Sequence, residues 1–222
     1  MSRHAAGWPA TLSHGEVTVR PLRWRDVASW VEARTRNADW LREWEATPPG
    51  AAAYVPSSVA TFVVMIRRLH RDAHAGRTYP FAVLVGGRFA GQLNVGGIVR
   101  GSLHSAHLGY WIDERYAGRE AMTTAVALVT DHCFTAIGLH RVDVNIRPEN
   151  AASRRVVEKL GFRDEGVRRE FLHIAGEWRD HVSYALVHNE IGTGVLARWW
   201  RSSRTSVSDT PVDLPDARGR HD

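Results

Sequence analysis

Trp111-Ile-Asp-Glu-Arg-Tyr-Ala-Gly-Arg-Glu-Ala-Met122 is the stretch on which the fold turns. Before it, His107 to Ile112 reads as a strand. After it comes the strongest helical period of the chain. Met122, Ala125, Val126, Val129, Cys133, Phe134 and Ile137 recur at intervals of three and four, and Gly138 follows as a C-terminal stop. A strand therefore hands over to a helix across a turn that holds Gly118. Free N–H groups at a helix start, with the positive end of the helix dipole, make an anion site. Gly118 removes side-chain bulk where a phosphate would approach the backbone, and Arg115 and Arg119 add positive charge. An arginine-decorated turn with no ligand would carry the same spacing.

Outward from this turn, the elements alternate. Val17-Thr-Val-Arg20 alternates like a half-buried strand and is closed by Pro21. Asp26 to Asn37 reads as helix. Ser57 or Ser58 caps a second helix that carries Val59, Phe62, Val63, Ile66, Leu69 and Ala73. Phe81–Val85, Gly86-Gly87 and Arg88–Val95 form a hairpin signal. Val142, Val144 and Ile146 alternate in a strand, and Asn150 to Leu160 is a short helix ended by Gly161. Phe162 to His173 and Glu177 to Val187 read as strands around an Ala175-Gly176 turn, with a closing helix within Ile191 to Trp200. The order predicts a mixed α/β (α+β) fold: a mostly antiparallel sheet with one parallel crossover, flanked by helices. One domain is expected over residues 16–200. Residues 1–15 form an N-terminal arm anchored by Trp8 and Leu12, and residues 201–222, rich in Ser, Pro, Asp and Arg, read as a disordered tail.

Four segments together resemble the GNAT superfamily of acyl-CoA-dependent N-acyltransferases. The turn looks like its pyrophosphate loop, Gln/Arg-x-x-Gly-x-Gly/Ala, with Arg115 and Gly118 in the first two fixed places and Glu120 departing at the third. Asn145-Ile-Arg-Pro-Glu-Asn-Ala-Ala-Ser153, continuing to Val157-Glu-Lys-Leu-Gly-Phe162, resembles the strand, Asn-initiated helix and Gly-Phe entry that follow the loop helix. Ala106-His-Leu-Gly-Tyr-Trp-Ile-Asp113 and Asn37-Ala-Asp-Trp-Leu-Arg-Glu-Trp-Glu45 are similar to the RimJ/RimL branch, the ribosomal-protein N-terminal (alanine) acetyltransferases. The resemblance covers about Val17 to Val187.

It implies acetyl-CoA as co-substrate and direct transfer to a protein or peptide N-terminal amine, with a ribosomal protein as one candidate partner. It implies that Tyr110, Trp111, Ile112, Arg115, Ala117, Gly118, Arg119, Glu120, Asn150 and Ser153 line the CoA site, with a backbone N–H of the Gly109–Ile112 strand meeting the thioester carbonyl. Glu170 matches the general base of that branch, and a carboxylate paired with Arg168 or Arg169 is the alternative. Ser153 matches the proton donor to the thiolate. A tyrosine that many members place on the following helix is Val157 here. Trp40, Trp44 and Glu45 are expected at the acceptor groove. Asp180 is a second base candidate or a residue that orients its hairpin.

Elementary chemistry is consistent with this. An α-amine has an ordinary pKa of about 7.7–8.0, so a weak base or water relay makes it nucleophilic. The carbonyl needs a hydrogen-bond donor, and the pyrophosphate an anion cradle. Glu120 is the discordant residue, because a carboxylate there opposes phosphate, with Arg115 and Arg119 expected to blunt the repulsion. Transfer to a small-molecule amine, or a non-catalytic CoA-binding or interaction module with a degraded loop, are the rival readings.

Composition narrows the classes further. The 222 residues are 44% hydrophobic and 24% charged, an ordinary globular balance. One cysteine, Cys133, excludes an intrachain disulfide framework and reads as a core residue; a reducing compartment follows. Met1 to Pro9 has no apolar signal core and no stretch approaches a membrane span, so a cytoplasmic location without membrane contact is expected. The formal charge is +5 with a single lysine, Lys159. The arginines form no basic run, so no direct nucleic-acid contact is expected. Twelve histidines give only the pairs His70/His74 and His104/His107, without a third ligand, so no metal is expected. No Gly-x-Ser-x-Gly occurs. A homodimer stays open.

Overall fold

The computed structural model describes residues 6–50 and 56–205. Eight strands form one sheet: β1 (Leu12–His14), β2 (Val17–Pro21), β3 (Tyr79–Val85), β4 (Arg88–Val99), β5 (Ser105–Ile112), β6 (Arg141–Ile146), β7 (Arg163–Ile174) and β8 (Glu177–Val187). Their order is β1-β2-β3-β4-β5-β6-β8-β7. Every pairing is antiparallel except β5 with β6. The helices are α1 (Val27–Arg36), α2 (Ala38–Arg42), α3 (Val59–His74), α4 (Ala121–Thr135), α5 (Ala151–Lys159) and α6 (Val195–Thr205). No helix among the described residues is long and apolar enough to cross a membrane.

Both faces of the central sheet are covered, which is why β3 reads as a continuous apolar run. Tyr79, Phe81 and Val83 point into the core shared with α4, while Ala82 and Leu84 pack with Trp30, Phe62, Ile66 and Leu69 beneath α1 and α3. Among these, full burial of Phe81, Val83, Phe62 and Ile66 contributes about 1.5–3 kcal/mol each relative to exposure. Ser58 is the N-cap of α3: its hydroxyl accepts from Thr61 N–H at 3.1 Å, and Thr61 Oγ1 accepts from Ser58 N–H at 2.8 Å. Val59, counted above on the apolar face, is exposed because it sits in the first turn, before the helix reaches the sheet.

The N-terminal segment enters the sheet. Leu12–His14 pairs with β2 as an edge strand, too short for alternation to register, and Trp8 stacks on Tyr79 with ring centroids 4.9 Å apart. The closing helix starts at Val195, four residues after Ile191, because Asp131 of α4 accepts its first N–H groups from Val195 and Leu196. The helix continues through Thr205, so residues 201–205, expected in the disordered tail, are its last turn, and residues 206–222 lie outside the described residues.

The parallel pair is the feature that positions the site. β5 and β6 are in register only at Ser105↔Arg141, Ala106↔Val142 and His107↔Asp143. Beyond His107 the strands part. Leu108–Ile112 stays paired with β4, and Val144–Ile146 with β8, leaving a wedge-shaped gap between them.

Candidate active site

Two adjoining cavities occupy this gap. The larger, about 550 Å³, is lined by Trp40 and Trp44 near α2, by Tyr110, Trp111 and Ile112 of β5, by Ala117, Gly118 and Glu120 of the turn, and by Asn150, Ser153 and Lys159 around α5. The smaller, about 210 Å³, lies between Leu108–Tyr110 and Val144–Arg147 and reaches Leu172, Ile174 and His181 of the β7–β8 hairpin. Trp44, Tyr110, Asn150 and Ser153 line both. A third cavity, about 1260 Å³, lies on the other side of the turn and is lined by Arg88, Arg115, Arg119, Glu120 and Lys159, with Trp199 and Trp200.

The turn is built around a buried carboxylate. Asp113 is fully buried and accepts hydrogen bonds from Arg115 N–H at 3.1 Å, from Arg115 Nη2 at 2.9 Å and from Arg36 Nη2 at 2.6 Å. Burial alone would push its carboxyl up. The hydrogen bonds from Arg115 and Arg36 outweigh that and bring it down to about 2. Arg36 is shared with Glu32 at 2.8 Å, so the Asp113 cluster is close to charge-balanced and holds the turn by hydrogen bonding.

Gly118 has φ +72°, a left-handed conformation in which a side chain is strained, and the space beside its Cα is open. Glu120, the N-cap of α4, is also left-handed at φ +58°, and its side chain makes no cap hydrogen bond. Its carboxylate is taken by Lys159 of α5, not by Arg115 or Arg119. This corrects the expectation that the flanking arginines blunt Glu120. Arg115 is turned back onto Asp113, and the chain's only lysine arrives from 39 residues away. The second carboxylate oxygen, Glu120 Oε2, is buried without a hydrogen-bond partner.

Asn150 caps α5, its side chain accepting from Ser153 N–H at 3.0 Å. Ser153 Oγ donates to Tyr110 Oη at 2.9 Å, so the two hydroxyls meet where the cavities join. Burial holds the Tyr110 hydroxyl well above the ordinary tyrosine range, which keeps it a neutral donor. Val157 is fully buried and offers no group to the site.

The remaining expected residues divide. Trp40 and Trp44 line the larger cavity, and Arg147, nearly buried, stacks 5.2 Å from the Trp44 ring centroid and donates to the Glu43 carbonyl at 2.8 Å. Glu45 pairs with Arg34 and lines none of the three cavities. Glu170 and Asp180 do not line them either. Glu170 is exposed at φ +45° in an irregular part of β7, and its N–H donates to Asp180 Oδ1 at 2.7 Å. Asp180 thus ties the hairpin together. His70 is bonded to the Leu22 carbonyl, and the His107 ring fills the space over Gly96 and Gly97. The sequence reading missed Asp113, Lys159, Arg147 and His181. Only the first sits within the loop motif; the rest reach the site through tertiary packing.

A family model described as "Acetyltransferase (GNAT) domain" matches residues 16–163. The chain belongs to the GNAT acetyltransferase family. The chain is 29% identical over 177 residues to the "[Ribosomal protein uS5]-alanine N-acetyltransferase" of Escherichia coli, covering 79% of this chain and 89% of that protein. Among solved structures, "Mycobacterium smegmatis RimJ in complex with CoA-disulfide" superimposes with a TM-score of 0.85 at 36% identity, over 90% of this chain and 97% of that one. The "Ribosomal-protein-S5-alanine Acetyltransferase from Vibrio fischeri" gives 0.69 at 26% identity, over 82% and 98%. This GNAT enzyme is an acetyl-CoA-dependent N-acetyltransferase. The sequence expectations of family, fold and co-substrate agree with these findings.

Proposed function

We propose that this enzyme acetylates the α-amine of a protein or peptide N-terminus, in the manner of the ribosomal-protein alanine acetyltransferases it is similar to. One observation carries the reading. The parted strands give two joined cavities, one on the loop side and a small one on the hairpin side, that meet at Tyr110 and Ser153. A thioester delivered from the first meets a chain end entering the second.

In this reading the α4 N-terminus, Ala117 and Gly118 hold the pyrophosphate, Arg119 and the remaining Nη1 of Arg115, whose Nε and Nη2 stay on Asp113, add charge from the third cavity's side, and Tyr110, Trp111, Ile112, Asn150 and Ser153 line the pantetheine path. The amine nitrogen attacks the thioester carbon while a β5 backbone N–H stabilises the oxyanion. The C–S bond breaks with its electrons on sulfur, and the Ser153–Tyr110 hydroxyl pair supplies the donor that the departing thiolate needs. Trp44, clamped by Arg147, walls the acceptor cavity. The segment after it is pinned to the hairpin by Thr47 N–H to the His173 carbonyl at 2.9 Å. About 210 Å³ suits a terminal amine with a small first side chain. Residues 16–200 are proposed as the catalytic unit, and a ribosomal protein as the partner.

The test is acetyl-CoA turnover on a panel of peptides beginning with Ala, Ser, Lys or Trp, beside free amines. Mass spectrometry should find acetyl on small N-terminal residues. Acetylated amines with untouched peptides would overturn the reading in favour of a small-molecule acceptor.

A further inference from the structure

His181 is the one buried imidazole that faces the acceptor cavity, among the described residues. It lies on β8, and the chemistry proposed so far does not use it. Its Nδ1 is 3.0 Å from the Arg179 carbonyl. A carbonyl only accepts, so Nδ1 carries the proton and the neutral ring keeps its lone pair on Nε2. The Phe171 ring lies edge-on to it, 5.7 Å between centroids, and fixes its plane. Tyr110, Asn145, Arg147 and Ser153 line the same cavity.

We propose that Nε2 of His181 is the proton acceptor for the incoming amine. Glu170, the base implied by resemblance, is exposed and lies outside the cavity lining, whereas His181 is inside it. The proton balance is simple. An ammonium acceptor gives one proton to Nε2, which passes it to solvent. The freed nitrogen forms the N–C bond, the C–S bond breaks, and the second nitrogen proton is matched by the one that ends on sulfur. Burial lowers the His181 pKa, the Arg179 carbonyl raises it, Arg147 lowers it, and Glu149 and Asp180 raise it; the net direction is down. The ring is thereby neutral and able to accept at neutral pH.

This rests on the family's transfer reaction with the acceptor entering the hairpin-side cavity. It does not depend on whether the acceptor is a peptide. The experiment is His181→Gln, assayed for kcat against pH with the best acceptor, beside Glu170→Gln and with CoA affinity measured by calorimetry. The expected result is a loss of kcat of about 100-fold or more for His181→Gln. CoA affinity stays unchanged, and the acid limb expected in the wild type on the acid side of the ordinary imidazole pKa of about 6.5 disappears. A kcat within threefold of wild type, or an acid limb that persists in the variant, overturns the proposal. So does a 100-fold loss confined to Glu170→Gln. If His181→Gln does not fold, the wild type alone decides. Its acid limb must shift with temperature as an imidazole does, and a temperature-independent limb, as from a carboxylate, overturns the assignment. A free amine turned over with the same His181 dependence would sink the peptide reading and leave this one standing.

Discussion

Replacing Glu120 with glycine should make the enzyme both more stable and tighter for acetyl-CoA. Glu120 sits at φ +58°, where an L-residue carries a penalty of roughly 1–2 kcal/mol that glycine does not. Against that stands its ion pair with Lys159. The two side chains are 43% and 46% exposed, and solvent screening limits such a pair to about 0.2–1 kcal/mol. The net gain is about 1 kcal/mol, or about 2–4 °C in Tm for a chain of this size. For the co-substrate, a carboxylate about 4 Å from a phosphate charge repels by about 1 kcal/mol even at the dielectric of water. Removing it, and freeing Lys159 to face the phosphates, should lower Kd about fivefold. Titration calorimetry at low and high salt reads this, and the gain should shrink with salt. Lys159→Met should move affinity the other way, since it strands the carboxylate. Equal or weaker binding by Glu120→Gly would refute the reasoning, and would mean that the Glu120–Lys159 pair shapes the cradle rather than opposing its ligand.

Asp113→Asn should destabilise the fold by about 2–3 kcal/mol, because the buried carboxylate's charged hydrogen bonds are lost while the partly exposed Arg36 and Arg115 stay solvated. The carboxyl is near 2 when folded and about 3.9 when unfolded, so its contribution of about 2.6 kcal/mol is complete above about pH 5 and is lost as pH falls through 2. Urea unfolding across that window should show the slope in the wild type and not in the variant. Cys133 is fully buried, and burial raises its thiol well above the ordinary range, so a thiol reagent should label it only in denaturant. Labelling of the native enzyme at the rate of a free thiol would contradict that burial.

Much of the fold was legible because its signals are local. The period from Met122 to Ile137 marked α4, and Gly86-Gly87 and Ala175-Gly176 marked the two hairpins. Leu12–His14 was not legible as a strand, since three residues carry no period, and neither was α2, a five-residue helix. At the site, the anion-cradle turn was readable from its glycine and arginines. The partners of its charged groups were not. Lys159 meets Glu120 only because α5 packs beside the α4 N-terminus, and Arg36 reaches Asp113 across 77 residues. His181 gave no signal at all. A lone histidine in a strand becomes distinctive only when burial, a committed Nδ1 and a place in a cavity wall come together.

The parting of β5 from β6 also divides the molecule in sequence. Strands β1 to β5 come from residues 12–112 and β6 to β8 from residues 141–187, and among the described residues the ladder between the two groups holds three residue pairs, beside backbone hydrogen bonds from His140 and Arg141 to His104 and from Thr47 to His173. The sheet is therefore two contiguous antiparallel halves that meet at a short seam, spanned by α4. Within each half most pairings join consecutive strands, the exception being β6, which pairs with β8. Any ligand that touches both halves acts as a stitch across the seam, stabilising the folded enzyme in proportion to its occupancy.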